Sequence, residues 1–354
     1  MFKLATSILF LFLLLANHSN GQTLTLKEAV NAALTNYGTI KAKGNYLKSS
    51  QASVKEASSA YLPDLNLGAQ QAYGTANGQF GPVIAMGGLN VASGGPPFLT
   101  QNWNAAFGGL YLANISWDFF SFGRVRENVR VAEAQVRQDA SDLDQEKFQQ
   151  QVKVAGTYLS LLAAQRIKIS QQKNLERAEA LQAVVLARTK NGLNAGVDSS
   201  QANAEVSSAK ILLTNATNYE AEQAGQLAQL MGITYQEFML DTVFVNRIPA
   251  SLYVSSPNNE DQHPLLKFYQ SRINVSQQQE KYFDRFKYPV FSLVGVLQSR
   301  GSGFDGNYSQ ISPDAFTHSY WDGVKPTNSN YLFGIGVTWN LTNPIRVHQQ
   351  VTAQ

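Results

Sequence analysis

Residues 111–124 have the sequence YLANISWDFFSFGR, and residues 333–346 repeat its pattern as FGIGVTWNLTNPIR. Trp117 and Trp339 stand 222 positions apart, and the arginines that end the two segments keep the same offset. In both segments apolar and polar residues alternate with a period of two, which is the pattern of a β-strand whose two faces meet different surroundings. The two segments therefore predict a duplicated strand that ends in a turn.

The apolar face of both strands carries aromatic residues near its ends, a feature of barrel strands that face lipid and enclose a wet lumen. The predicted lipid-facing residues are Tyr111, Ile115, Trp117 and Phe119 in the first strand and Phe333, Ile335, Val337 and Trp339 in the second. A half-buried strand of a soluble sandwich alternates in the same way. The strands alone therefore leave both architectures open.

A second duplicated segment precedes this one in each copy. Leu62-Pro63 and Tyr288-Pro289 each end a helix-like segment and open a strand-like one, at an offset of 226 positions. Proline suits this junction because it cannot continue a helix. The blocks predict duplication of a module of about 220 residues. We place the first repeat at residues 22–232, a linker at 233–261 and an incomplete second repeat at 262–354.

The N-terminus has the pattern of an export signal. Lys3 is followed by an apolar run from Leu4 to Leu15 and then by polar and small residues. The run is too short for a spanning helix, which takes about 20 residues, and its flanks suit cleavage. We therefore expect residues 1–21 to be a secretory signal peptide; the alternative is a buried N-terminal helix. The chain has 0 Cys, which excludes a disulfide framework, and its net charge of +3 gives no argument for nucleic acid as a partner.

A long helix is predicted after the first duplicated strand. Val125 to Lys190 contains no Pro and one Gly, and as one helix it would be about 100 Å long. Apolar residues recur in it at alternating steps of three and four, which is the seam of a coiled coil.

The long helix is predicted to turn back on itself. Residues 191–198 interrupt it, with Gly192 suited to a left-handed position after the helix and Asp198 or Ser199 suited to an N-cap. A return helix from Ser199 to Met231, ended by Gly232, completes an αα-hairpin.

Residues that could carry out catalysis are not grouped. His263, His318 and His348 are scattered and lack the spacing of a zinc site. Neither a phosphate-binding loop nor a nucleophile elbow is present. The sequence therefore predicts that the protein is not an enzyme and has neither a metal site nor a cofactor.

Several segments, taken together, resemble the TolC family of outer-membrane efflux proteins. They are the opening helix Thr25 to Leu34 with its capping box, the junctions at Leu62-Pro63 and Tyr288-Pro289, the junction from Trp117 to Arg124, and the hairpin turn from Gly192 to Asp198. The resemblance implies a mainly α fold with transmembrane β-strands and an internal duplication. Long antiparallel coiled-coil helices would accompany four β-strands per chain in a trimeric 12-stranded barrel. Four strands cannot close a barrel alone, since the smallest known outer-membrane barrels have eight.

The resemblance also implies a place and a set of partners. The homotrimer would lie in the outer membrane of a Gram-negative bacterium, in contact with its lipid, and extend into the periplasm toward an adaptor protein and an inner-membrane pump. It would be a passive exit duct of a tripartite efflux or type I secretion system, for small molecules or polypeptides. Candidate adaptor contacts at the hairpin tip are Gly192, Leu193, Gly196, Val197 and Asp198; alternatively, these residues only form a turn.

Two further expectations concern completeness and class. Gln354 follows the second strand-to-helix junction, where internal symmetry requires a second long hairpin, so we expect a C-terminally truncated member of the family. The competing class is a soluble periplasmic coiled-coil scaffold or adhesion protein. Trp117 and Trp339 favour the duct, because matching tryptophans at the ends of strands are typical of a membrane interface and are not expected in a soluble scaffold.

Overall fold

The computed structural model describes residues 23–78, 85–86, 89–90, 97–246 and 262–353. The predicted signal peptide lies outside these ranges, and so does the part of the predicted linker from 247 to 261. The described residues form two compact units. The helical unit comprises those of Met1–Ser50 and Val136–Arg272, and the sheet unit those of Gln51–Gln135 and Ile273–Gln354. These units do not coincide with the predicted repeats, because the predicted end of the first repeat, residue 232, lies inside the helical unit. The duplication therefore stays a prediction.

The described elements are mainly helical, as predicted. The helices are α1 (Leu26–Asn36), α2 (Gly38–Ser59), α3 (Arg124–Lys190), α4 (Gly196–Met231), α5 (Val243–Asn246), α6 (Pro264–Asp284), α7 (Tyr320–Val324) and α8 (Asn343–Ala353). The strands are β1 (Asp64–Thr75), β2 (Ala85–Met86), β3 (Leu89–Asn90), β4 (Ala105–Phe120), β5 (Val290–Ser302) and β6 (Asn328–Thr338).

Helix α1 opens with the predicted capping box. The Thr25 hydroxyl accepts a hydrogen bond from the Glu28 backbone N–H at 3.2 Å, and the Glu28 carboxylate accepts one from the Thr25 backbone N–H at 2.9 Å. The bond from the Thr25 N–H, and a second from the Thr25 hydroxyl to the same carboxylate, favour the ionised form and lower the pKa of Glu28. One turn further, Ala29 and Ala33 are buried in a cluster with Leu161 of α3 and Leu227 of α4. The cap therefore fixes the start of α1. The small alanine side chains on its buried face let this helix lie close against the hairpin.

Three polar side chains of α3 support the core of the helical unit. Tyr158 is fully buried, and its hydroxyl donates to the Leu24 carbonyl at 2.8 Å while accepting from the Asp241 backbone N–H at 3.2 Å. Gln150 and Gln165 donate to other backbone carbonyls, each at a distance below 3 Å. Because buried backbone groups without partners are costly, these side chains let irregular segments pack against the helices. Burial also raises the pKa of Tyr158, which favours the protonated hydroxyl that donates to the Leu24 carbonyl.

The antiparallel hairpin of α3 and α4 has the predicted coiled-coil character. Leu175 of α3 packs in a buried cluster with Val206 and Ala209 of α4. Across the same hairpin, Lys168 lies 2.8 Å from the carboxylate of Glu220. Both side chains of this ion pair are half-buried but still reach solvent, so the pair contributes little to stability, and apolar packing is the main contribution.

Two predicted helix boundaries are wrong. Helix α4 begins at Gly196 rather than Ser199, and its N-cap, Ala195, makes no side-chain cap hydrogen bond. Asp198 is therefore not the N-cap; it lies in the first turn, where a carboxylate interacts favourably with the helix dipole. Helix α2 ends at Ser59 rather than Leu62, because the chain turns before Pro63.

The sheet unit contains one four-stranded antiparallel sheet in the order β1-β4-β5-β6. Its strands are the four that the sequence predicts. The pairing of β4 with β5 shifts by one residue between Trp117 and Phe120, so Phe120 is the partner of Phe291. The strict alternation predicted up to Phe119 therefore ends in a bulge, which locally bends a strand.

Candidate functional site

The sheet has one apolar face. Directly paired residues of an antiparallel sheet point to the same side. Trp117 pairs with Leu293, which pairs with Ile335. The residues that the register places on this face include Leu65, Leu67, Ala113, Ile115, Trp117, Leu293, Leu297, Phe333, Ile335 and Val337. The strands thus combine their separate alternating patterns into one continuous surface, which we call the apolar face.

Much of the apolar face is uncovered in the single chain. Phe333 is 70% exposed, Ile335 69% and Val337 58%. Trp339, just beyond the end of β6, is 56% exposed. A contiguous apolar surface of this kind marks a contact with lipid or with another protein. That these residues face lipid is not tested by the chain alone and stays a prediction.

A glycine lies at the centre of the apolar face. Gly295 pairs with Ile115 on one side and Phe333 on the other. A Cβ at position 295 would lie 2.7 Å from both Ile115 Cγ2 and Phe333 Cε1. Since real Cβ atoms do not approach so closely, the two large side chains close over the backbone of Gly295 only because it has no side chain.

The two tryptophans make equivalent hydrogen bonds at the helix end of the sheet. The Trp117 indole N–H donates to the Tyr61 carbonyl at 2.9 Å, and that of Trp339 donates to the Lys287 carbonyl at 3.1 Å. Each carbonyl lies two residues before the proline that precedes a neighbouring strand: Pro63 before β1, which pairs with β4, and Pro289 before β5, which pairs with β6. The indoles therefore combine an apolar ring with a satisfied polar group, the arrangement typical of tryptophan at a membrane interface.

A short loop helix, missed from the sequence, covers the opposite end of the apolar face. The Tyr320 ring of α7 packs edge-on against Phe107 at 5.2 Å, and its hydroxyl donates to Gln71 Oε1 at 2.7 Å. The predicted lipid-facing Tyr111 lies under this helix, because its hydroxyl donates to the Val324 carbonyl at 3.1 Å. The only local signal is Ser319, which caps α7 through Asp322 N–H.

The other face of the sheet carries most of the strands' polar residues, alongside apolar ones that include Leu112, Val296 and Leu332. The register groups on it Asn66 of β1, Asn114 and Ser116 of β4, Gln298 of β5, and Asn330 of β6. At the helix end of this polar face, the Ser292 hydroxyl donates to Asp118 Oδ1 at 2.5 Å. The sheet is therefore two-sided across all four strands, as the alternation of the separate strands predicts.

The hairpin tip is a compact turn between α3 and α4. Gly192 has a φ of +73°, which confirms its predicted left-handed position. Its N–H bonds to the Thr189 carbonyl at 3.0 Å, and the Leu193 N–H bonds to the Arg188 carbonyl at 2.9 Å. This pair of bonds is the Schellman motif, in which glycine satisfies the last helical carbonyls.

The tip presents two apolar side chains to solvent. Leu193 is 70% exposed and Val197 is 71% exposed. Asn194 stiffens the turn between them by donating from Nδ2 to Asp198 Oδ2 at 2.9 Å. The structure brings Gly192 and Leu193 of the turn together with Gly196, Val197 and Asp198 of the first turn of α4; their contact with an adaptor stays a prediction.

Two kinds of feature are absent from the described residues. Side chains of His, Cys, Asp and Glu form no group there that could hold a metal ion. In the same part of the chain, no helix combines the length and the apolar content needed to cross a membrane.

Comparison with known families identifies one match. A family model described as "Outer membrane efflux protein" matches residues 29–233, more than half of the chain. This range contains β1, β4 and both helices of the hairpin. No curated protein sequence matches the chain.

Solved structures share the fold. The chain is 16% identical to the outer-membrane channel OprN, with a TM-score of 0.67, and covers 67% of that chain. For the Campylobacter jejuni CmeC outer membrane channel the identity is 16%, the TM-score 0.66 and the coverage 64%. For the Vibrio cholerae outer membrane protein VceC they are 17%, 0.65 and 71%. Each match includes 93% of the present chain, so the chain spans about two thirds of the length of these proteins.

Proposed function

Because the chain belongs to the outer membrane efflux protein family, we propose that it forms the outer-membrane exit duct of a tripartite efflux or type I secretion system. Its place is the outer membrane, where its family works. A transport conduit of this kind lowers a barrier to passage and catalyses no reaction, so we propose that the chain has no enzyme activity. Small molecules and polypeptides are both possible cargo.

The apolar face is the observation that carries this proposal. It extends over all four strands, and its β6 part is largely exposed in the single chain. Water is a poor surrounding for such a surface, whereas lipid tails match it. The polar face on the other side of the same strands suits a wet lumen.

The two edge strands support assembly of several copies. The sheet ends at β1 on one side and β6 on the other, and neither edge is paired within the described chain. Unpaired backbone groups are not tolerated in hydrocarbon, so a membrane sheet must close. Four strands are too few for closure, and a ring of copies supplies the rest. We propose a homotrimer whose barrel has 12 strands.

Membrane fractionation with gel electrophoresis before and after heating tests this proposal. We expect the expressed chain in the outer-membrane fraction, as an oligomer that dissociates on boiling. Recovery of a helical monomer in the soluble periplasmic fraction would contradict the duct and support the competing scaffold or adhesion protein.

The hairpin tip is the proposed contact with the periplasmic adaptor, which would link the duct to an inner-membrane pump. The exposed side chains of Leu193 and Val197 supply an apolar patch on a turn held by the Schellman hydrogen bonds and by the bond from Asn194 to Asp198. Little conformational entropy is lost when a rigid surface of this kind binds.

We expect the double substitution Leu193→Asp and Val197→Asp to weaken adaptor binding at least tenfold, because exposed apolar anchors are replaced by charges that would be desolvated in the interface. Pull-down of the adaptor encoded with this chain by the purified oligomer measures the effect. Lys173→Ala is the matched control, since Lys173 is exposed on α3 away from the tip. Unchanged binding by an intact double variant would leave the tip as a turn only.

A further inference from the structure

Ionised side chains on the polar face are separated along the strands. Asp64 of β1 and Asp118 of β4 lie at the end from which the helices continue. Arg300 of β5 lies near the opposite, loop end of the sheet. The register places Asp64 and Arg300 on this face, and the hydrogen bond with Ser292 places Asp118 there; no other charged residue of the four described strands lies on it.

The register fixes the level of Arg300. It pairs with Leu110 of β4 and with Asn328 of β6, and Leu110 pairs with Gln70 of β1. Leu110 shares the polar face with Asn114 and Asp118 by alternation along β4. At about 3.4 Å per residue, Arg300 lies about 27 Å along the strands from Asp118. The positive and negative groups are therefore far enough apart to act on a passing solute one after the other.

The charge of Arg300 is not neutralised by a neighbouring carboxylate among the described residues. The residues beside Arg300 toward the loop end, Ala72 and Gly108, are small, and together with Arg300 they line part of a shallow cavity of about 150 Å³. With the Gln298 amide turned so that its oxygen faces Arg300, Nε and Nη2 donate to that oxygen at 2.5 and 2.8 Å. Among the described residues, Arg300 has no ion pair with a carboxylate. A neutral partner orients the side chain without cancelling its charge.

We propose that Arg300 determines charge selectivity at the outer end of the duct, where the copies of the chain together form a ring of guanidinium groups that favours anionic solutes and retards cationic ones. This inference rests on the proposed function, since the polar face must line the lumen. Rings of Arg side chains are a general means of selecting anions in a pore. Guanidinium suits carboxylate and phosphate groups in particular, because its planar N–H groups can bind two oxygens at once.

Ion selectivity in planar lipid bilayers tests the inference. The full chain and its variants are reconstituted, and the reversal potential is measured in a KCl gradient centred near 0.1 M. We expect Arg300→Gln to raise the ratio of potassium to chloride permeability about twofold and Arg300→Glu to raise it further. The effect should shrink at 1 M salt, because the screening length falls from about 10 Å to about 3 Å. Arg300→Lys keeps the charge and should leave the ratio close to that of the natural chain.

The outcomes separate the two proposals. Pores of normal conductance whose selectivity is the same in the natural chain, Arg300→Gln and Arg300→Glu would overturn the role of Arg300 and leave the duct intact. A chain that inserts but conducts no ions in any variant would overturn the duct and, with it, the inference. As a second measurement, Arg300→Cys introduces the only thiol into a chain with 0 Cys. It should react with a charged, water-soluble thiol reagent in intact outer membranes, and failure to react would also contradict a lumenal position.

Discussion

Ile335→Arg is expected to abolish assembly of the chain in the outer membrane. Ile335 lies on the apolar face in the edge strand β6, paired with Leu293, and its side chain is 69% exposed in the single chain. An arginine on the lipid side of a barrel costs about 2–4 kcal/mol at the bilayer midplane. In a ring of three copies the cost would be up to about 6–12 kcal/mol, which is comparable to the whole free energy of unfolding of a typical protein, about 5–15 kcal/mol.

Gly334→Arg is the matched control for this substitution. Gly334 is the preceding residue of β6 and lies on the polar face, and a Cβ there would meet no atom within 4 Å. Both variants add the same charge to the same strand, so only the face differs. The measurement is the fraction of heat-dissociable oligomer in outer membranes. Equal assembly of the two variants would show that the apolar face does not contact lipid.

Leu227→Ala is expected to destabilise the helical unit by about 2–5 kcal/mol, the range for a buried leucine whose removal leaves a cavity. Leu227 of α4 is fully buried in the cluster that includes Ala29, Tyr158 and Leu161. The surrounding helices are held apart by their neighbours, so the space cannot close completely. Urea unfolding of the detergent-solubilised protein, followed by helical circular dichroism, measures the change as a lower midpoint.

Gln229→Ala provides the comparison on the same helix. Gln229 is exposed, two residues beyond Leu227, and a surface substitution of this kind changes stability by less than about 0.5 kcal/mol. If both variants unfold at the same urea concentration, the cluster around Leu227 does not limit the stability of the helical unit.

Local features of the fold were predictable because they depend on neighbouring residues. The capping box of Thr25 and Glu28 needs two side chains three positions apart, and Gly192 adopts a conformation that favours glycine in any context. The start of α4 was predicted wrongly because the preference for an N-capping residue is local too and does not include the shape of the preceding turn. Good N-capping residues were present at 198 and 199, but the turn after Gly192 was already tight enough for the helix to begin at Gly196.

The two-sided character of the four strands could be predicted from residue order, since alternation along a strand sets which side chains share a face. The sequence also indicated the long hairpin and the family, through segments whose order is specific. The tertiary structure alone decided which strands pair, where the bulge before Phe120 lies, and that α7 covers Tyr111. It also showed that Arg300 lies at the loop end of the polar face, and that the side chains of Ile115 and Phe333 lie close to the backbone of Gly295. The physical reason is that these features join residues up to about two hundred positions apart, and periodicity within a strand specifies a face but not a partner.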